Sequence, residues 1–389
     1  MLIEEVRHEL TGHIMPFWDK LRDDENGGFY GYVGFDLNVD KKAGKGVILH
    51  SRILWFYSKA YEVLDDKHCL DNALHAFEYI KKACVDYDKG GVYWMTTFDG
   101  KPADTQKHTY NIAFAIYALS CLYNSSKNEE ALSLAYKLYD DIETKALKAN
   151  GYGEAFDVDW NDADNDELSE NGLHADRTMN TILHLIEAYT ELYKAQKRED
   201  VGRRLKYLLS QMENIVYTPD THALKVFFDN DYNLVGDIHS YGHDIEAQWL
   251  MDLACDTLGD KELIDRFAKM DLAISENIYD IAFENGALNN ERENDKIDKK
   301  RVWWVQAESV VGFINAYQHS GDKKFLSAAK DVWENIKSRV IDPREGSEWF
   351  SEVSFEGVPD EKKEIAGPWK CPYHNGRMCM EVITRGVDC

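Results

Sequence analysis

Histidines and carboxylates at helical spacing are the residues of this chain best suited to chemistry. His239, His243 and Glu246 follow at i, i+4 and i+7, while Asp176, Asn180 and His184 follow at i, i+4 and i+8. Each set would fall on one stripe of a helix, because residues three and four apart are surface neighbours. Trp304 and Glu308 are four apart, and His374 and Arg377 are three apart. Arg52 and Tyr110 each fall in the first turn of an apolar segment. Charge in an apolar helix is costly unless it is paired, so these polar groups mark one pocket. Imidazole gives and takes protons near neutrality, and Arg keeps its charge at any working pH. Trp303 and Trp304 are adjacent and cannot both face one core stripe. Aromatic walls with hydrogen-bonding edges suit sugars.

Other chemistries fit less well. His239-x-x-x-His243 with Glu246 has ligand types that zinc accepts, but Ser240 takes the position of the general-base Glu in H-E-x-x-H. The acidic run from Asp157 has Asp162 where a calcium loop needs Gly and Leu168 where it needs Glu. Neither G-x-G-x-x-G, nor a P-loop, nor G-x-S-x-G occurs. The expectation is no metal and no cofactor.

The elements that must position these groups recur along the chain. An apolar, aromatic segment begins near His50, His108, His174, His239, Val302 and Cys371, at intervals of 58, 66, 65, 63 and 69 residues. An amphipathic segment follows from about 68, 128, 199, 260 and 322, and residues 1–21 supply a sixth. Six apolar helices inside six amphipathic ones predict an all-α (α/α)6 barrel. Stretches such as GGVYWMTTFDG and GYGEAFDVDW predict short β-hairpin loops at one end, walling the pocket. No composition break divides the chain, so residues 1–389 read as one catalytic domain.

Of 389 residues, 70 are acidic and 45 basic, a formal net charge of −25. That excess disfavours nucleic acid and anionic membranes. Hydrophobic residues at 44% exclude an intrinsically disordered chain. The opening residues do not read as a signal peptide, and no apolar run is long enough to span a membrane. Seven scattered cysteines without C-x-x-C favour free thiols and a cytoplasmic location. Monomer and homodimer are both left open.

The stretch Gly-Pro-Trp-Lys-Cys-Pro-Tyr-His-Asn-Gly-Arg at 367–377 is the most specific motif. With Val-Trp-Trp-Val-Gln-Ala-Glu at 302–308 and His-Asp-Ile-Glu at 243–246, it resembles the N-acylglucosamine 2-epimerase superfamily, and within it the branch acting on β-1,4-linked disaccharides such as cellobiose. The resemblance runs from Arg52 through Arg377 and implies the same barrel. It implies opening of the reducing-end sugar, proton removal at C2, an enediolate, and reprotonation on the opposite face. His243 and His374 would then be the acid/base pair, with Glu246 orienting His243 and Arg52 stabilising the enediolate. His184 and Asn180 would hold the sugar and assist ring opening. Tyr110, Trp303, Trp304, Glu308 and Trp369 would line the subsites, with Asp176 a supporting contact. Met378 departs from the small residue expected after the Arg, which bears on packing. An N-acylglucosamine 2-epimerase, an aldose–ketose isomerase, a glycoside hydrolase with Glu246 and Glu308, and a non-catalytic sugar binder are the alternatives.

Overall fold

The computed structural model describes residues 2–165, 173 and 175–387. His174 and Leu168, named above, and Cys389, one of the seven cysteines, lie outside the described residues. In chain order the helices are α1 (Leu2–Glu9), α2 (Met15–Asp19), α3 (Val47–Leu64), α4 (Lys67–Tyr79), α5 (Thr109–Ser126), α6 (Glu129–Asp141) and α7 (Met179–Gln196). They continue as α8 (Glu199–Gln211), α9 (Tyr241–Leu258), α10 (Lys261–Ile281), α11 (Trp303–Ser320), α12 (Lys323–Asn335) and α13 (Tyr373–Arg385). The apolar odd-numbered helices from α3 onward form the inner ring: each packs on the next, and α13 returns to α3. The amphipathic helices lie outside, α1 and the π-helical turn Leu10–Ile14 covering α13. This is the (α/α)6 barrel expected from the repeat.

Five of the inner helices, α3, α5, α7, α9 and α11, are each tied to the following outer helix by a two-residue link. Asp65, Lys127, Lys197, Gly259 and Gly321 take left-handed φ of 53° to 70° and stop the inner helix. The next residue begins the outer helix, and Asp66, Asn128, Asp260 and Asp322 cap it with a side-chain oxygen. These links keep this end compact, with a small cavity of about 30 Å³ towards it, lined by Lys59, Cys121, Glu191, Lys194, Leu253 and Glu381 among others. All long connections therefore gather at the opposite end, where the inner helices start.

Those connections are stitched together around the rim. The strand just before each inner helix pairs with a strand of the next connection: Lys45–Gly46 with Met95–Thr96, Lys107–His108 with Ala155–Phe156, and Arg177–Thr178 with Phe227–Phe228. Ile238–Ser240 pairs with Glu291–Glu293, and Arg301–Val302 with Glu352–Val353. A Val33–Ala366 bridge closes the circle. Local hairpins do form, as at 147–152 and 217–224, but the rim is held mainly by pairing between successive loops. Four outer helices end in π-helical turns, which helical periodicity does not reveal: Ile80–Cys84, Ile142–Ala146, Met212–Val216 and Ile336–Val340.

Close helix contact in the ring needs glycine at two positions. A Cβ on Gly376 would lie 2.4 Å from the Phe56 ring, and one on Gly312 would lie 2.5 Å from Ile245. Gly376 thus lets α13 approach α3, bringing His374 and Arg377 towards Arg52. Met378, the departure noted above, is fully buried.

Candidate active site

The polar groups meet just inside the loop-covered end of the ring. His374 is the second residue of α13, and its Nδ1 donates to Glu308 Oε1 of α11 at 2.7 Å. The other oxygen of Glu308 accepts from Trp249 Nε1 at 3.1 Å, which fixes the carboxylate. With Nδ1–H committed, Nε2 is the basic nitrogen of His374. The ring packs against Trp303 at 5.3 Å and Trp304 at 5.5 Å between centroids. Burial, then the charges of Arg377 and Arg52, push its pKa well below the ordinary histidine value.

Across the ring, His243 of α9 shares a 2.7 Å hydrogen bond between Nδ1 and Ser240 Oγ. It lies 4.8 Å from Trp304, so one indole serves both imidazoles. Burial, reinforced by His184, pushes its pKa down to about 3. Both histidines are therefore neutral at pH 7, and each can accept a proton.

Arg377 gathers three buried carboxylates. Its Nη1 donates to Glu187 Oε1 and to the Tyr373 hydroxyl; its Nη2 donates to Glu246 Oε1 and, at 2.7 Å, to Glu308 Oε1. One guanidinium cannot neutralise three carboxylates. Burial and the neighbouring Glu308 push Glu246 up to about 7. Glu187 behaves oppositely: burial opposes its charge, but Arg377 and His184 outweigh it and bring the pKa down to about 2. Glu246, Glu308 and His374 bring three ligand atoms within 4.8 Å of one another. The oxygens concerned are those already held by Arg377, so the cluster is built as a charge network around a guanidinium.

Arg52 is the contrasting cation. It is only 3% exposed, and its Nη2 donates to the Tyr110 hydroxyl at 2.9 Å. Its guanidinium lies 4.2 Å from the Phe114 ring centre and 5.0 Å from that of Tyr373. Its recorded partners among the described residues are the Tyr110 hydroxyl and Cys371 Sγ, no carboxylate among them, and Nε has no hydrogen-bond partner. A buried charge without a counter-ion is costly unless an anionic species forms beside it.

His184 of α7 lies 5.1 Å from Tyr110 and 4.7 Å from Phe114. Its Nδ1 donates to Glu187 Oε2 at 2.9 Å. Asn180 is partly exposed near the start of α7, and its Oδ1 has no partner among the described residues. At the mouth, Trp369 is 37% exposed and lies 6.0 Å from Tyr110 and 5.8 Å from Trp94. It borders a cavity of about 290 Å³ with Ile48, Trp94, Met95, Asp104 and Pro368.

Four expectations change. Asp176 precedes α7, is exposed, and accepts from the Asn230 backbone N–H at 3.1 Å, so it is not on the stripe of His184. His239 lies in the strand before α9, and its Nε2 binds Asp244 Oδ2 at 2.7 Å. Glu246 does not orient His243; it reaches across the ring to Arg377 and lies 3.9 Å from His374 Nδ1. Trp303 is buried beneath Lys370, 4.5 Å away, and backs His374, while Trp304 keeps exposed surface. Glu187, Tyr373, Trp249 and Ser240 were missed. The signal for Glu187 was present, because His184-x-x-Glu187 repeats the spacing of His243-x-x-Glu246.

A closed ring of inner helices thus brings together two neutral imidazoles, a third held by a carboxylate, and an arginine with no carboxylate partner among the described residues, groups suited to moving protons. The family model described as N-acylglucosamine 2-epimerase matches residues 27–376, and the chain belongs to that family. It is 70% identical over 388 residues to the cellobiose 2-epimerase of Ruminococcus albus, the alignment covering all of both chains. It is 45% identical to that of Eubacterium cellulosolvens, covering 99% of each. The structure of cellobiose 2-epimerase from Bacillus thermoamylovorans superposes with a TM-score of 0.96 at 46% identity, covering 98% of this chain and 99% of that one.

Proposed function

We propose that this chain epimerises the reducing-end glucose of cellobiose and related β-1,4-linked disaccharides at C2, giving mannose at that end. The observation that carries the reading is Arg52, buried without a carboxylate partner among the described residues, in a site with two imidazoles whose Nδ1 atoms are already engaged. The relatives named above act on cellobiose by their names, and their likeness spans the whole chain.

The steps follow from the groups present. His184, with Asn180, opens the pyranose to the aldehyde. One histidine of the His243/His374 pair takes the C2 proton through Nε2, and the electron pair moves to O1 as an enediolate. Arg52 and the Tyr110 hydroxyl stabilise the developing oxyanion. The other histidine delivers a proton to the opposite face of C2, and the roles exchange for the reverse reaction. The aldehyde itself supplies the acidity of C2–H, so no step is assigned to a metal or cofactor. Trp304 and Trp369 offer the flat faces on which the two sugars stack.

The hydrolase reading needs carboxylates flanking a scissile bond. Glu246 and Glu308 instead share one guanidinium nitrogen and are both buried. The whole chain acts as one catalytic domain, because the site draws on residues from Arg52 to Arg377. No helix among the described residues is long and apolar enough to cross a membrane. Six buried free thiols favour a reducing, cytoplasmic setting.

Incubation with cellobiose followed by carbon NMR tests the proposal. Glucosyl-mannose is the expected product. Free glucose would establish a hydrolase, a glucosyl-ketose would establish an isomerase, and either would overturn the reading.

A further inference from the structure

We propose that Glu187 is the positioning residue for ring opening, holding His184 so that only Nε2 faces the sugar. This deepens the epimerase reading and rests on it. Glu187 Oε2 takes the Nδ1–H of His184 at 2.9 Å, while Oε1 accepts from Arg377 Nη1 and the Tyr373 hydroxyl. The carboxylate is buried and held from two sides, so it cannot follow the imidazole if that ring moves. The ring itself is wedged between Tyr110 and Phe114. The hydrogen bond to Glu187 is made through Nδ1, which leaves Nε2 as the nitrogen available to a substrate.

The chemistry gives this arrangement a purpose. Opening a pyranose breaks C1–O5 and forms C1=O1, so one proton leaves the O1 hydroxyl and one arrives at O5. A single imidazole performs both transfers: Nε2 takes the O1 proton, then returns it to O5 as the bond breaks. Between the transfers the ring is an imidazolium. An ionised carboxylate on Nδ1–H stabilises that cation and fixes the tautomer that begins the cycle. Glu187 is suited to this because Arg377 and Tyr373 keep it ionised and oriented.

The test compares cellobiose with cellobiose deuterated at C2 of the reducing glucose, in the parent and in Glu187→Gln. The expected result is a kcat about 10- to 100-fold below the parent, on the scale of removing the carboxylate that orients a metal-bound histidine. The deuterium isotope effect on kcat should fall to about one, because slowed ring opening then masks cleavage of the C2–H bond. General damage to the site would slow proton removal as well and leave the isotope effect in place. A kcat within twofold of the parent would overturn the inference. So would a reduced kcat with an isotope effect clearly above one and no smaller than the parent's. If Glu187→Gln does not fold, Tyr373→Phe keeps every charge and removes one donor to Glu187. A drop of about two- to tenfold with the isotope effect again lowered is expected, and an unlowered isotope effect would overturn the inference. A parent that left cellobiose unconverted would instead remove the epimerase reading, a failure visible before any variant is made.

Discussion

Helices α7 and α9 carry the same pair at the same spacing, His184-x-x-Glu187 and His243-x-x-Glu246, and use it differently. On α7 the pair closes on itself, with Glu187 holding its own histidine. On α9 it stays open: His243 turns to Ser240, and Glu246 reaches over to Arg377 on α13. Position along the helix accounts for the difference. His243 is the third residue of α9, beside the N-cap Ser240 hydroxyl, whereas His184 is the sixth residue of α7, beyond reach of its cap. The carboxylates differ accordingly. Glu187 ionises readily with three donating neighbours, Arg377, His184 and Tyr373, while Glu246 competes with Glu308 for one guanidinium nitrogen and retains its proton towards neutrality. Identical spacing places side chains near one another, and local charge decides which of them bond.

In the mechanism proposed above, His243 and His374 transfer the proton at C2 and His184 opens the ring. The largest effect is therefore expected from His243→Ala and His374→Ala. Each should lower kcat by at least about 10³-fold, at the upper end of general acid–base contributions, with little change in thermal unfolding. Near-normal turnover in either variant would break the two-base assignment.

Arg377→Met tests the charge network behind the pair. It strands Glu187, Glu246 and Glu308 without their cation. Removing one partner of a buried ion pair costs about 3–5 kcal/mol, so denaturant unfolding should show a loss of that size. A stability loss below about 1 kcal/mol would contradict the network.

Glu246→Gln sharpens the contrast with Glu187. Its folded pKa of about 7 lies above the ordinary value of 4.5, so the parent gains stability from this group below pH 4.5 and loses it as pH rises towards 7. The variant lacks that dependence. Any melting-temperature deficit it shows at pH 4.5 should shrink by pH 7, and a deficit that grows would reverse the assignment. Smallest of all, Ser240→Ala should cost less than about tenfold in kcat. It removes a neutral hydroxyl from His243 rather than an ionised partner.

The two rings of helices were legible because burial imposes a period of about 60 residues on apolar segments, and the expected starts match α3, α5, α9, α11 and α13 closely. The rim was less legible. Its strands are two or three residues long and pair with the following loop, a partner that local alternation cannot reveal. The site residues came largely from the motif at 367–377 and its resemblance. Their bonding did not, because Arg377 meets Glu187, Glu246 and Glu308 from three different helices. Asp176 failed for a simpler reason: α7 starts at Met179, so an apparent helical stripe began in a loop.

The central claim is that C2 is served by two separate bases on opposite faces, and early-time isotope labelling tests it most directly. Cellobiose would be incubated in D2O, and both sugars examined by NMR while conversion is still below about a tenth. The account predicts deuterium at C2 of essentially every new glucosyl-mannose, because the proton delivered comes from a histidine that exchanges with solvent and not from the one that removed C2–H. Product that keeps protium at C2 would mean that one group carries the same proton between faces, and would contradict the account.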